Sequence, residues 1–211
     1  MLFPSLLPLA AIGWMSATPA GPSKVVDASL AATSQAAELA ERTIDVTLFD
    51  INHQETRTVR IGLDGQVDDE ARATLERLFR CKRTDRRHEV DPGLLVMLAD
   101  VSARYPGKTI EYVSAFRAKE RHTSRHRQGR ALDFRIPGVD TTEFRDYVWT
   151  HHSNLGLGWY PHGDFIHMDY RPGDADYAWT HKGGHDRGNP SWAAALRAGK
   201  HRTKRVDRVG T

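Results

Sequence analysis

A single cysteine, Cys81, stands among 211 residues. No intrachain disulfide can form and no thiolate cage can hold a metal, so any bound ion must be held by His, Asp or Glu. Cys81 itself reads as a small buried apolar residue on a helix. The shortage of cysteine does not argue against export, because a domain with a sufficient core does without disulfides. Charge is missing from the first 23 residues, where Leu2 to Met15 is almost wholly apolar and Ser16, Ala17, Ala20 and Gly21 follow. Residues 1–23 read as an export signal or a membrane anchor. The apolar run is short for a bilayer span, Pro4 and Pro8 interrupt it, and Lys or Arg is missing at its start. No internal repeat and no low-complexity tract is present. The chain also lacks a zinc finger, a helix-turn-helix signal and an aromatic stacking motif, so nucleic acid is not expected as a partner.

What is present is ordinary for one folded domain. Hydrophobic residues make up 39% and charged residues 27%, which excludes general disorder. The net charge is only +3, yet the pI is near 9.1. Basic residues cluster near the end, where Arg197, Lys200, Arg202, Lys204, Arg205 and Arg208 face one acid, Asp207. Residues 186–211 therefore read as a flexible basic tail, either merely solvated or tethering the chain to an anionic surface.

Between these ends the periodicity alternates between strand and helix. Residues 24–42 are rich in Ala and Ser and read as a linker. Ile44, Val46 and Leu48 alternate with polar neighbours, and Val59 and Ile61 continue a second run beyond Asn52 to Glu55, which predicts a hairpin. Asp68 or Asp69 caps a helix with Ala71, Leu75, Leu78 and Phe79 on one face, ending before Lys82. Asp91-Pro92 starts another, with Leu94, Leu95, Leu98 and Val101 as its buried stripe. Thr109 to Phe116 is a core strand with Ile110, Tyr112 and Ser114 on one face, and Ala131 to Ile136 is a second. Asp140 or Thr141 caps a helix through about Thr150, and two short strands surround Trp159 and His167. The class is α+β, a small antiparallel or mixed sheet with packed helices.

Two clusters carry the chemistry. His126 and Asp133 lie seven residues apart, and His162-Gly163-Asp164-Phe165-Ile166-His167-Met168-Asp169 follows about thirty residues later. Two imidazoles and one carboxylate leave a tetrahedral zinc with an open position for water. Asp133 and His167 converge if their strands are neighbours, and His126 drops in from the preceding loop, with Gly129 allowing a sharp turn and a close approach. His122, His151, His152, His181, His185 and His201 have no such pattern around them and read as surface histidines.

The series Ser114-Ala115-Phe116-Arg117, His126-x-x-Gly129-x-Ala131-x-Asp133 and Asp164-Phe165-Ile166-His167-Met168-Asp169 resembles the zinc D-Ala-D-Ala peptidases and hedgehog-type metallopeptidases. Gly156-Leu157-Gly158-Trp159-Tyr160-Pro161 and Gly138-Val139 look closer to the YcbK-like murein endopeptidase branch. The resemblance covers about residues 43–180 and marks 43–185 as a zinc peptidase domain. It implies one zinc ion held by His126, Asp133 and His167, with Asp164 accepting a proton from the attacking water. It implies a transition-state role for His162 and a substrate-facing role for Arg117, whose fork suits a carboxylate or an oxyanion. Ser124 reads as a substrate contact, and Asp169 as a group that orients a ligand imidazole.

Two departures from the family pattern stand out. Ala115 replaces a usual glycine, and the loop from Ala118 to Arg125 is rich in charge, with Lys119, Arg121, His122 and Arg125 near the expected substrate path. The implied function is hydrolysis of peptide bonds in peptidoglycan, in the periplasm or cell envelope, with endopeptidase action favoured over carboxypeptidase trimming. The alternative from another class is a wall-binding module that keeps zinc without turnover. Asp164 and His162 beside the ligands argue for the enzyme.

Overall fold

Strand alternation is the organising feature of the computed structural model, which describes residues 42–206, with side chains as far as residue 199. The segments read as signal or anchor and linker lie outside the described residues, apart from Arg42. Eight strands form one mixed sheet: β1 (Thr43–Asp50), β2 (Glu55–Gly62), β3 (Thr109–Ser114), β4 (Ala131–Arg135), β5 (Leu155–Tyr160), β6 (Phe165–Tyr170), β7 (Tyr177–Lys182) and β8 (His185–Gly188). Their order is β2-β1-β3-β4-β6-β5-β7-β8, with β1/β3 and β5/β7 parallel and the other neighbours antiparallel. The α+β expectation holds.

One face of the sheet is apolar, apart from the fully exposed edge strand β8. Val46, Leu48, Val59, Ile61, Ile110, Leu132, Phe134, Leu155, Leu157, Ile166 and Met168 are all buried in a single core with the helices. Burial of such side chains, worth about 1.5–3 kcal/mol each, fixes register, because a one-residue slip would turn every one of them to the other face. Helices α1 (Asp69–Leu78), α2 (Pro92–Arg104), α3 (Thr141–His151) and α4 (Ser191–Val206) cover this face.

Each of the first three helices begins where a carboxylate satisfies orphan amides. Asp68 accepts from the amide of Ala71 at 2.7 Å. Asp91 accepts from Gly93 at 2.9 Å, with Pro92 in the first turn. Asp140 accepts from Thr142 and Glu143 at 2.9 and 3.0 Å.

Three expectations change. Val113 is an extra residue in β3: Tyr112 pairs with Phe134 and Ser114 with Asp133, so the ladder bulges between them. The bulge breaks the alternation that set Ser114 beside Tyr112. Tyr112 stays in the core, its hydroxyl donating to the carbonyl of Leu78 at 2.6 Å, while Ser114 turns to the face of Asp133. Cys81 is buried, as expected, but follows the end of α1 in a loop rather than lying on a helix.

The region read as a flexible tail, residues 186–211, holds all but the first residue of β8 and the whole of α4. Ala193 is buried in the core, and its carbonyl accepts from Trp149 Nε1 at 2.9 Å. Trp192 Nε1 donates to Thr180 at 2.9 Å, and Arg145 lies between the Trp159 and Trp192 rings, 4.4 and 4.3 Å from their centroids. Three scattered aromatics and a buried arginine thus dock a segment whose own composition is basic. Among the described residues no helix is long and apolar enough to cross a membrane.

Candidate metal centre

The other face of the sheet carries the polar site. Register aligns Ser114, Asp133, His167, Gly158 and Trp179 in one row across β3, β4, β6, β5 and β7. Asp133 and His167 are direct partners on adjacent antiparallel strands, so their side chains rise together. His126 comes from the turn before β4, as its loop position suggests. Gly129, at φ +68°, makes that turn; a Cβ there would lie 2.1 Å from the carbonyl oxygen of Glu89. The close approach that demands glycine is thus to neighbouring backbone rather than to the metal position.

All three side chains are buried, and one ligand atom from each lies within 4.8 Å of the others. His167 Nδ1 is 2.7 Å from Asp133 Oδ1, and His126 Nε2 is 3.2 Å from both His167 Nδ1 and Asp133 Oδ1. Two nitrogen donors about 2.0–2.1 Å from a tetrahedral ion stand roughly 3.3–3.4 Å apart, so this triangle fits one.

The remaining nitrogens are already committed. His126 Nδ1 is 2.6 Å from the carbonyl of Ala115, and His167 Nε2 is 2.9 Å from Asp169 Oδ2. A carbonyl and a carboxylate accept only, so both outer nitrogens donate and both inner nitrogens face the shared position. Asp169 is in turn held by Arg171 Nε and Nη2 at 2.7 and 2.9 Å. Asp169, expected to orient a ligand imidazole, is thus bonded to the ring of His167 and braced from behind.

Without an ion the three groups perturb one another. Burial opposes the charge of Asp133, but both imidazoles outweigh it and hold the carboxyl far below its ordinary range. Burial, helped by the nearby charges of His167 and Arg117, lowers His126 despite Asp133. In His167 burial acts in the same sense, yet hydrogen bonds with Asp133 and Asp169 prevail and push it up to about 9. One proton is thus stored where a cation would sit.

Arg117 joins the site. Its Nη2 donates to Asp133 Oδ2, its Nε to Ser114 Oγ at 2.8 Å, and its Nη1 to Glu120 Oε1 at 3.1 Å. The bulge in β3 therefore supplies the hydroxyl that orients the guanidinium. Ser124 donates to the other oxygen of Glu120. Burial opposes the charge of Glu120, but the bonds from Ser124 and Arg117 hold its carboxyl below the usual range.

Two expected catalytic residues are not brought to this cluster. Asp164 stands in the β5–β6 turn at φ +49°, and its carboxylate accepts from the hydroxyl of Thr141 at the start of α3. That contact belongs to the helix-bearing side of the sheet. His162 is exposed in the same turn. Asp and Asn tolerate the left-handed conformation better than other non-glycine residues, which gives Asp164 a turn role independent of chemistry.

Sequence reasoning missed Glu120 and Trp179. The Trp179 ring lies 5.0 Å from that of His167, reaching it across Gly158, where a Cβ would fall 2.4 Å from the indole. Gly156 likewise leaves room for Asp169, since a Cβ there would lie 2.1 Å from Oδ2. The alternation Leu155-Gly156-Leu157-Gly158 was the available signal: leucines to the core, glycines under the site. Tyr160 stacks on Phe165 at 4.5 Å and on His181 at 5.0 Å, extending an aromatic wall beside the metal position. His181, read as a surface histidine, is half-buried in it.

The curated proteins include a probable peptidoglycan L,D-endopeptidase MepK of Haemophilus influenzae, 30% identical over 112 residues, covering 46% of this chain and 60% of that protein. The peptidoglycan L,D-endopeptidase MepK of Escherichia coli K12 is 26% identical over 121 residues, 51% of this chain and 65% of its own length. The chain thus spans less than two thirds of these relatives. No solved structure matches it. The family model described as peptidoglycan L,D-endopeptidase MepK matches residues 38–175, a span that includes His126, Asp133 and His167, and the chain belongs to that family.

Proposed function

We propose that this protein is a zinc-dependent peptidase that cleaves peptide bonds in peptidoglycan stem peptides or cross-links, as an endopeptidase. The observation that carries the reading is the triangle of two histidines and one aspartate, each imidazole fixed by an outer acceptor and all three donors turned to one point. Such a donor set suits zinc better than magnesium or calcium, which favour all-oxygen sites. A zinc ion there would supply a Lewis acid and a water acidic enough to act near neutral pH. The relatives are named as L,D-endopeptidases, and we extend that bond class to this chain.

The chain's own residues do the rest. Arg117, with Ser114 and Asp133 fixing its plane, can turn its donors to a substrate carbonyl as negative charge develops on it. We assign proton transfer to Glu120 rather than Asp164. Glu120 lines the same cavity as Asp133, and its carboxyl, held below the usual range by the bonds from Ser124 and Arg117, is ionised at neutral pH. Asp164 is engaged by Thr141. Trp179, Tyr160 and Phe165 form an apolar wall that limits water beside the reacting bond.

We place this activity outside the cytoplasm, on the uncharged, apolar first 23 residues and on where peptidoglycan lies. The test is digestion of isolated sacculi by residues 24–211, with released fragments identified by mass. Zinc should support release, a chelator should abolish it, and His126→Ala should lower metal content at least tenfold. Full metal occupancy without any release would favour the non-catalytic wall-binding alternative. Full occupancy in His126→Ala would remove the metal assignment.

A further inference from the structure

A cavity of about 330 Å³ runs from Asp133 and Arg117 outward between two loops, residues 79–86 and 115–120. Its size is at the low end for small-ligand sites, about 300–1,000 Å³. Its chemistry is lopsided. The acids that line it are all engaged: Asp50 by His53 and Asn52, Glu120 by Arg117 and Ser124, and Asp133 by the imidazoles and Arg117. Of the cations, Arg80 is paired with Glu55 and Asp85.

Lys82, Arg83 and Lys119 also line the cavity and are exposed, and among the described residues none of them makes an ion pair. Lys82 has only the side-chain oxygen of Asn52, at 3.4 Å. Three uncompensated positive charges thus border one cavity that opens beside a candidate metal centre.

The two loops are braced against each other. Phe116 N donates across to the carbonyl of Phe79 at 3.1 Å, and within the first loop Cys81 N donates to that of Arg86 at 2.9 Å. Cys81, Phe116 and Ala118 form a small buried apolar cluster separate from the main core. The only cysteine of the chain is therefore a prop that holds the base of both cation-bearing loops. Held this way, the ammonium and guanidinium groups lose less freedom on engaging an anion than they would on free loops.

We propose that Lys82, Arg83 and Lys119 form an anion subsite that takes a free carboxylate of the peptide substrate, on the cavity side of the bond held at His126, Asp133 and His167. This inference rests on the peptidase reading and adds to it a substrate class: peptides with a carboxylate near the cleaved bond. A carboxamide at the same place would leave the cations unsatisfied and lose the charge-assisted bonds.

The test uses two synthetic cross-linked stem-peptide dimers, identical except that the free carboxylates of one are carboxamides in the other. Both are given to the full chain loaded with zinc, and to the Lys82→Gln/Arg83→Gln/Lys119→Gln variant, with circular dichroism to verify folding. The carboxylate dimer should be preferred about tenfold in kcat/KM, falling to a ratio of about 1 in the variant. Equal handling of the two dimers by the unaltered protein would overturn the subsite, and so would an undiminished preference in the variant. Equilibrium binding of both dimers separates the two levels of argument. Preferential binding of the carboxylate form without cleavage sinks the peptidase reading and keeps the subsite; cleavage without preference does the reverse; neither cleavage nor preference sinks both.

Discussion

Trp179 reaches His167 only because Gly158 stands between them without a side chain: the two rings lie 5.0 Å apart, and a Cβ on Gly158 would come within 2.4 Å of the indole. The glycine is therefore part of the site although it touches no ligand atom. Gly158→Ala should displace Trp179 and cost about 1–3 kcal/mol, an overpacking penalty. For a chain of this size that lowers Tm by roughly 2–12 °C. Thermal unfolding followed by near-ultraviolet circular dichroism measures both, and an unchanged Tm and Trp signal would show that the indole does not pack there.

The metal-free centre should store a proton that metal displaces. His167 is raised to about 9 from 6.5, whereas burial keeps His126 neutral. Between those two pH values, loading zinc should release about one proton per ion, since only a neutral imidazole coordinates. Release measured with a pH indicator should lose the imidazole's share as pH climbs through about 9, leaving only the proton given up by the zinc-bound water. The same shift fixes the sign for stability: a raised pKa stabilises the metal-free fold fully below pH 6.5 and loses that contribution as pH climbs through about 9. Metal-free Tm should fall across this window, and a rise would contradict the assignment.

Glu120 and Asp164 make opposite predictions. Glu120→Gln keeps partners for Arg117 and Ser124 but cannot take a proton, so kcat should fall about 100-fold, within the usual span for general-base loss. Asp164→Asn keeps a residue suited to φ +49° and an acceptor for Thr141, and kcat should stay within about threefold. Rates on one defined cross-linked peptide, with zinc content measured alongside, decide it. The reverse ranking would return the proton to Asp164.

Trp192 tests whether the C-terminal helix is part of the fold. Trp192→Ala removes one of the two rings around Arg145 and the bond to Thr180. A loss of about 2 kcal/mol, or roughly 4–8 °C in Tm, is expected. An unaffected Tm would mean that α4 is only loosely attached.

The amino-acid sequence by itself determined the local structure and the donor set. Caps at Asp68, Asp91 and Asp140, the apolar stripes of α1 and α2, and the alternation in β1 and β2 are short-range physics, so they are legible along the chain. So are His126, Asp133 and His167, because the family motif around them, added to their residue types and spacing, points to one metal chemistry. Tertiary structure alone decided the rest. The bulge at Val113 turned Ser114 to Arg117, the pairing of β4 with β6 brought Asp133 under His167, and the left-handed turn carried Asp164 toward Thr141 instead. The basic tail became a docked helix because Trp149, Arg145 and Thr180, distant in sequence, present a surface to it. Each of these depends on which strands become neighbours and in what register, and that is a property of the whole buried core rather than of any one segment.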